Sequence, residues 1–364
     1  MKNKAGLFGI YLPVFALVVL GTVAMRTAAL FLHFDTQTGY FSYKILINAS
    51  NYIVIGTSLF FLTYIFTARR DVSLIPDFTS AATYIPTGIV SAALLFMPFA
   101  LIKRAGSILD TIKDLRESAF QSAAAQIPAQ RLLFAVVIVT ALFSVASLVH
   151  FALTALVESH SSSKRANFGL CTVVFLSLYA MYLYFSTDLP INSPNKALDQ
   201  MAYLLAAVFF LYETRLSFGR EKWRLYIAFG FIAAAVSAYS SIPSLIYYVA
   251  CGKTTQNSVY EMILTFALFV FITSRILLTS KLIENRSSQT VLALAAASDA
   301  RSEEINPTPK GAEVIEITGE PIEESAEKTY ADENQITIEE LTTLTDAETQ
   351  DTEEEITAPE EEEK

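Results

Sequence analysis

The feature that most limits how this chain can fold is a succession of eight apolar runs. Each is close to the roughly 20 residues that a helix needs to cross the hydrocarbon of a bilayer. They cover residues 7–25, 45–67, 84–102, 132–157, 168–185, 197–212, 226–250 and 262–278. Lipid offers the backbone no hydrogen-bond partner, so such runs are stable there as helices, which satisfy their own N–H and C=O groups. Composition agrees: 53% of residues are hydrophobic and 17% charged, against about 25% charged in soluble domains. The expectation is an all-α polytopic membrane helix bundle of about eight transmembrane helices.

Several runs carry local signals. The first follows Lys2 and Lys4 but is 19 residues long, which suits an uncleaved helix better than a signal peptide. The sixth is short, and Ser193-Pro194 ahead of it reads as an N-cap followed by proline at the first helical position. The third contains Pro86, Gly88 and Pro98 and reads as kinked or re-entrant. The eighth carries Arg275, expected to snorkel to the membrane surface. After the third run, Leu101, Ile102, Ala105, Ile108, Leu109, Ile112, Leu115 and Phe120 recur at helical spacing among charged residues. This predicts an amphipathic helix, lying on the membrane or extending the third span.

Charge divides the chain in two. Residues 301–364 hold 22 acidic and 4 basic residues, a net of −18, whereas residues 1–300 hold 22 basic and 14 acidic residues, a net of +8. The expected organisation is a transmembrane bundle over 1–285, a short helical or linker extension over 286–300, and a disordered acidic cytoplasmic tail over 301–364. A tail with so few apolar side chains cannot offset the entropy of ordering. Ile-Thr recurs in it, placing Thr318, Thr337 and Thr357 as candidate docking positions for a cytoplasmic protein, or as chance repeats in a Glu/Thr-rich tract.

With the amino terminus inside, inner loops carry twelve Lys and Arg and outer loops nine. Three even-numbered spans also close on basic residues, at Arg69-Arg70, Arg215 and Arg275. Both counts favour cytoplasmic termini in a cell-membrane protein.

Chemistry-bearing motifs are lacking. The sequence contains no phosphate-binding glycine loop, no HExxH and no Cys or His cluster with metal spacing, so no metal, cofactor or catalytic residue is assigned. The basic loop from Leu216 to Arg224, with the single tryptophan Trp223, reads as an interfacial anchor and not as a nucleic-acid site.

The cavity candidates are polar stripes. Thr140, Ser144, Ser147, His150 and Thr154 share one face of the fourth run, and Ser237, Ser241, Ser244 and Tyr248 share a face of the seventh, where Pro243 is expected to break the helix. Such faces turn toward protein or a wet cavity; equally, Ser and Thr can bond back to their own helices. Asn48, Ser50 and Asn51 make the outer third of the second run polar. Asp199, Glu213 and Glu261 lie near helix ends, where water is expected to reach them. Arg26 and Asp35 read as interfacial, and Asp35-Thr-Gln-Thr-Gly39 as a turn.

The stretch from Arg26 to Phe41, with Asp35-x-x-Thr38-Gly39-Tyr40-Phe41, resembles a segment of uncharacterised bacterial multi-pass membrane proteins. The resemblance implies no activity.

The sequence therefore points to a non-enzymatic membrane protein in a ligand-sensing or scaffold role, whose tail recruits a cytoplasmic partner. The alternative is a small-molecule permease with a cavity between the polar faces of the fourth and seventh helices. The two cysteines test the orientation. A membrane-impermeant maleimide applied to intact cells is expected to label Cys251 and leave Cys171 unlabelled, and the opposite pattern would invert the bundle.

Overall fold

A computed structural model describes residues 6–36, 38–67, 81–117, 125–156, 163–186, 193–218, 222–255 and 258–279. The chain divides into two units, Met1–Ser302 and Glu303–Lys364. The second, with Thr318, Thr337 and Thr357, lies outside the described residues, as does the 286–300 extension.

The first unit is an all-helical bundle. Its elements are α1 (Gly6–His33), α2 (Ile45–Leu62), the single-turn α3 (Tyr64–Thr67), α4 (Ala81–Glu117), α5 (Ile127–Leu156), α6 (Ser163–Phe185), α7 (Pro194–Ser217), α8 (Trp223–Cys251) and α9 (Val259–Thr279). Among the described residues, seven spans are long and apolar enough to cross a membrane: α1, α2 with α3, α4, α5, α6, α8 and α9. The 24 residues of α7 reach about 36 Å at 1.5 Å per residue, also enough to cross. Its charged positions keep it out of the apolar set.

Successive helices pack as neighbours from α4 to α8, and α1 and α2 pack on α8. The end of the bundle where α1 meets α2 is called distal below, and the end where α1 begins proximal. The distal loop closes as the sequence suggests. Gly39 takes a positive φ of 75°, its N–H donates to the Asp35 carbonyl (2.9 Å), and Thr38 Oγ1 donates to Asp35 Oδ2 (2.8 Å).

The hub is α8. Its membrane window is 83% buried, against 22% for α2 with α3. Small residues explain this, because Ala228, Gly230, Ala233, Ala234, Ser237, Ala238 and Ser241 are all buried and let neighbouring backbones approach closely. Rings fill the remaining space. Phe61 stacks on Phe231 at 4.9 Å, Phe209 on Tyr226 at 4.9 Å and Phe210 on Phe271 at 5.5 Å.

Of the two readings of the amphipathic segment, extension of the third span holds, whereas the re-entrant third run and the break at Pro243 do not. The third run and the segment after it form one continuous helix, α4, of 37 residues. Its proline ring positions are absorbed without a break, and Leu101, Ala105, Ile108 and Ile112 are buried along a helix whose main neighbour is α5. At about 55 Å it exceeds the roughly 30 Å hydrocarbon thickness, so the spanning segment simply continues past the membrane. Likewise α8 runs unbroken through Pro243. Serine hydroxyls support the helix there: Ser241 donates to the Ser237 carbonyl (2.7 Å) and Ser244 to the Ser240 carbonyl (2.9 Å).

Close packing at the hub is testable. A Cβ on Gly230 would stand 3.1 Å from Ile276 and 3.3 Å from Phe209. Gly230→Leu is expected to destabilise the bundle by about 1–3 kcal/mol through overpacking, lowering the melting temperature in detergent. Gly88→Leu, at a site with open space, is expected to leave it unchanged.

Candidate functional site

Helix α7 positions the polar interior. Its first residues place Asn195, Lys196 and Asp199 at the distal end, and Glu213 lies near its other end. All four are buried, in contrast to the hydrated ends expected for Asp199 and Glu213. The reason is register: neighbouring helices extend beyond these positions and supply partners.

Four helices meet at the distal cluster. From α1, Arg26 is 2% exposed, and its Nη2 donates to Asn195 Oδ1 at 2.6 Å. Its guanidinium lies 4.7 Å from the centroid of the Tyr239 ring on α8, a cation–π contact. Tyr239 in turn donates to Asn51 Oδ1 on α2 (2.7 Å), and its hydroxyl lies 2.6 Å from Ser50 Oγ. One residue on, Ser240 donates to Asp199. Asn195 Nδ2 donates to the Thr255 carbonyl (3.3 Å), and Lys196 Nζ to the Ser186 carbonyl (2.8 Å). The interfacial reading of Arg26 is thus corrected. Helix α1 runs on to His33 and carries Arg26 into the protein.

A second polar group lies beside it at the same end. Ser258 and Glu261 form a reciprocal cap on α9: the Glu261 N–H donates to Ser258 Oγ (3.2 Å) and the Ser258 N–H to Glu261 Oε2 (3.1 Å). This is the S-x-x-E capping box. Tyr179 on α6 donates to the other oxygen, Oε1, at 2.8 Å.

The proximal end holds an ion pair. Arg275 Nε on α9 lies 3.3 Å from Glu213 Oε1 on α7, with side-chain exposures of 0% and 6%. Arg275 was expected at the membrane surface. A carboxylate one helix away and the Phe271 ring at 5.0 Å hold it inside instead. Trp223, expected as an interfacial anchor, is also buried, with its ring edge-on to Tyr226 at 5.7 Å.

The predicted stripes lie as follows. On α5, Thr140, Ser144, Ser147, His150 and Thr154 are all buried. Their hydroxyls donate to their own helix: Thr140 to Val136, Ser144 to Ala141, Ser147 to Phe143 and Thr154 to His150, at 2.6–2.9 Å. His150 sets its ring 6.4 Å from that of Phe210 on α7. At Gly169 on α6, a Cβ would meet Thr214 Oγ1 at 2.6 Å and His150 Cε1 at 3.3 Å, so this glycine allows three helices to converge. On α8, Ser237, Ser241 and Ser244 are buried and Tyr248 is half-buried.

The two stripes do not face one another as principal neighbours. Phe151 beside the α5 stripe meets Phe210 of α7 and Phe271 of α9, and α7 packs between α6 and α8. A cleft of about 400 Å³ is lined by Leu170, Thr214, Arg215 and Phe218, between α6 and α7. Among the described residues no three His, Cys, Asp or Glu side chains group as a metal site.

Sequence reading missed the Arg26–Asn195–Tyr239 convergence and the Glu213–Arg275 pair. Both join residues remote in the chain. The available signal was the density of polar residues on α7, which an otherwise apolar bundle does not need.

The ion pair gives a double-replacement test. Glu213→Gln alone leaves Arg275 buried without its counter-charge and is expected to cost about 3–5 kcal/mol, read as a loss of melting temperature in detergent. Adding Arg275→Met is expected to restore most of it. Full additivity of the two changes would deny the coupling.

Comparison with known protein families, with curated proteins and with solved structures finds no match, so the fold and the polar clusters stand on their own geometry.

Proposed function

We propose that this chain is a non-enzymatic multi-pass protein of the cell membrane that binds or senses a small ligand at its distal polar cluster. Through the acidic tail it then recruits a cytoplasmic protein. The observation that carries the reading is the burial of Arg26, Lys196 and Asp199 among four helices. Ionisable residues buried within membrane helices are rare and mark functional positions by default. Stability alone gives no reason for them, since a bundle packed through small residues and aromatic rings holds without charges.

The arrangement of the chain supports a link between the two ends. Helix α9 starts beside the distal cluster at Glu261 and ends at Thr279 on the opposite side, from which the sequence continues to the acidic segment. With both termini cytoplasmic, as the distribution of Lys and Arg favours, the cluster belongs to the outer half of the bundle and the tail to the cytoplasm.

A second reading, a small-molecule permease, draws on the α6–α7 cleft. Thr214 lines it and stands beside His150 at Gly169.

Complementation separates the two. In a strain lacking the chromosomal copy, a chain truncated after Ala300 is expected to fail to restore the wild-type phenotype. The triple replacement of His150, Ser241 and Ser244 by Ala is expected to restore it. A permease would give the reverse, and an intact phenotype without the tail would refute the docking role.

A further inference from the structure

Unsatisfied donors converge at the distal start of α7. Ser193 occupies the N-cap position in extended conformation, ahead of Pro194, yet its side chain caps nothing. The residue is 1% exposed, and its Oγ has no hydrogen-bond partner among the described residues. Thr255, whose carbonyl holds Asn195, is fully buried, and its Oγ1 is likewise without a partner among the described residues. The same holds for Arg26 Nε, although Nη2 of that guanidinium is bound to Asn195. No ion pair joins Arg26 to a carboxylate among the described residues. By helix geometry the backbone N–H groups of Asn195 and Lys196 have no acceptor within α7.

These groups share one property. Each is a hydrogen-bond donor, and together they carry the Arg26 charge and the positive end of a 24-residue helix. Buried donors left without acceptors are costly, and a helix N-terminus beside a guanidinium favours an anion. The neighbouring carboxylate, Asp199, is engaged by Ser240, and the ammonium of Lys196 by the Ser186 carbonyl. We propose that the first turn of α7, with Arg26, Ser193 and Thr255, binds an oxyanion, the carboxylate or phosphate group of a small molecule or a lipid headgroup.

This inference rests on the ligand-binding reading above and names the ligand's chemistry. Full-length protein in phosphatidylcholine nanodiscs is titrated with inorganic phosphate and with acetate at constant ionic strength, by calorimetry. In parallel, protein taken from vesicles of phosphatidylcholine and phosphatidylglycerol is examined by native mass spectrometry for retained anionic lipid. Saturable binding of phosphate or acetate identifies a free anion, and retained phosphatidylglycerol a headgroup. Whichever is seen is expected to weaken at least tenfold in Arg26→Gln and to stay within twofold in Lys253→Gln, an exposed cation near the same end.

Should Arg26→Gln fail to fold, the double change Ser193→Ala with Thr255→Ala carries the test. Among the described residues neither hydroxyl bonds to a helix or a neighbour, so the melting temperature is expected to hold while anion binding falls. Two results would overturn the proposal: no binding of either kind by the wild type, or binding indifferent to these replacements. Anion binding together with an intact phenotype after tail deletion would instead refute recruitment and leave this site standing.

Discussion

Ionisable side chains on α7 have to be kept out of lipid, and the rest of the bundle is arranged around that requirement. Lys196, Asp199 and Glu213 are each buried, and each is met by a group from a different part of the chain. The Ser186 carbonyl follows α6, Ser240 belongs to α8, and Arg275 to α9. A helix with these residues facing hydrocarbon would be expelled toward water. Surrounded by α6, α8 and α9, it becomes the polar spine of an otherwise apolar protein.

Packing of α8 follows from the same demand. For α1 and α2 to reach the polar end of α7, the helix between them must be thin. The run of Gly, Ala and Ser residues on α8 provides this, and at Gly230 a Cβ would crowd Phe209 of α7 and Ile276 of α9. Aromatic rings then fill the shallow grooves that small residues leave, and Tyr239 serves both purposes: its ring lies under Arg26 and its hydroxyl reaches α2. The polar clusters and the apolar core are therefore one construction, since the same small residues that permit close helices bring Arg26 to Asn195.

The two ends differ in kind. At the proximal end, charge is matched by charge in the Glu213–Arg275 pair, which suits a fixed clamp. The distal end has an excess of donors, with Arg26, Ser193 and Thr255 gathered at a helix start. The ligand site we propose therefore lies at the distal cluster, while the proximal pair holds α7 against α9. The serine and threonine stripe of α5 is satisfied by its own backbone carbonyls, while His150 packs among rings near the cleft.

Sequence alone determined the helical class, the positions of the spans and the split between a basic body and an acidic tail. Each depends on local composition: apolar length sets a span, the Ser193-Pro194 pair sets a start, and the many Asp and Glu residues set the net charge of residues 301–364. It also marked the faces of α5 and α8 that turn inward, because helical periodicity is local too. The tertiary structure decided what those periodicities leave open. Arg275 and Arg26 look from sequence like residues that snorkel, since a long cationic side chain near a span's end has water within reach. They are buried because Glu213 and Asn195, 62 and 169 residues away, arrive beside them. Pairing across such separations depends on which helices become neighbours, and that is set by the summed packing of the bundle, not by any local stretch of chain.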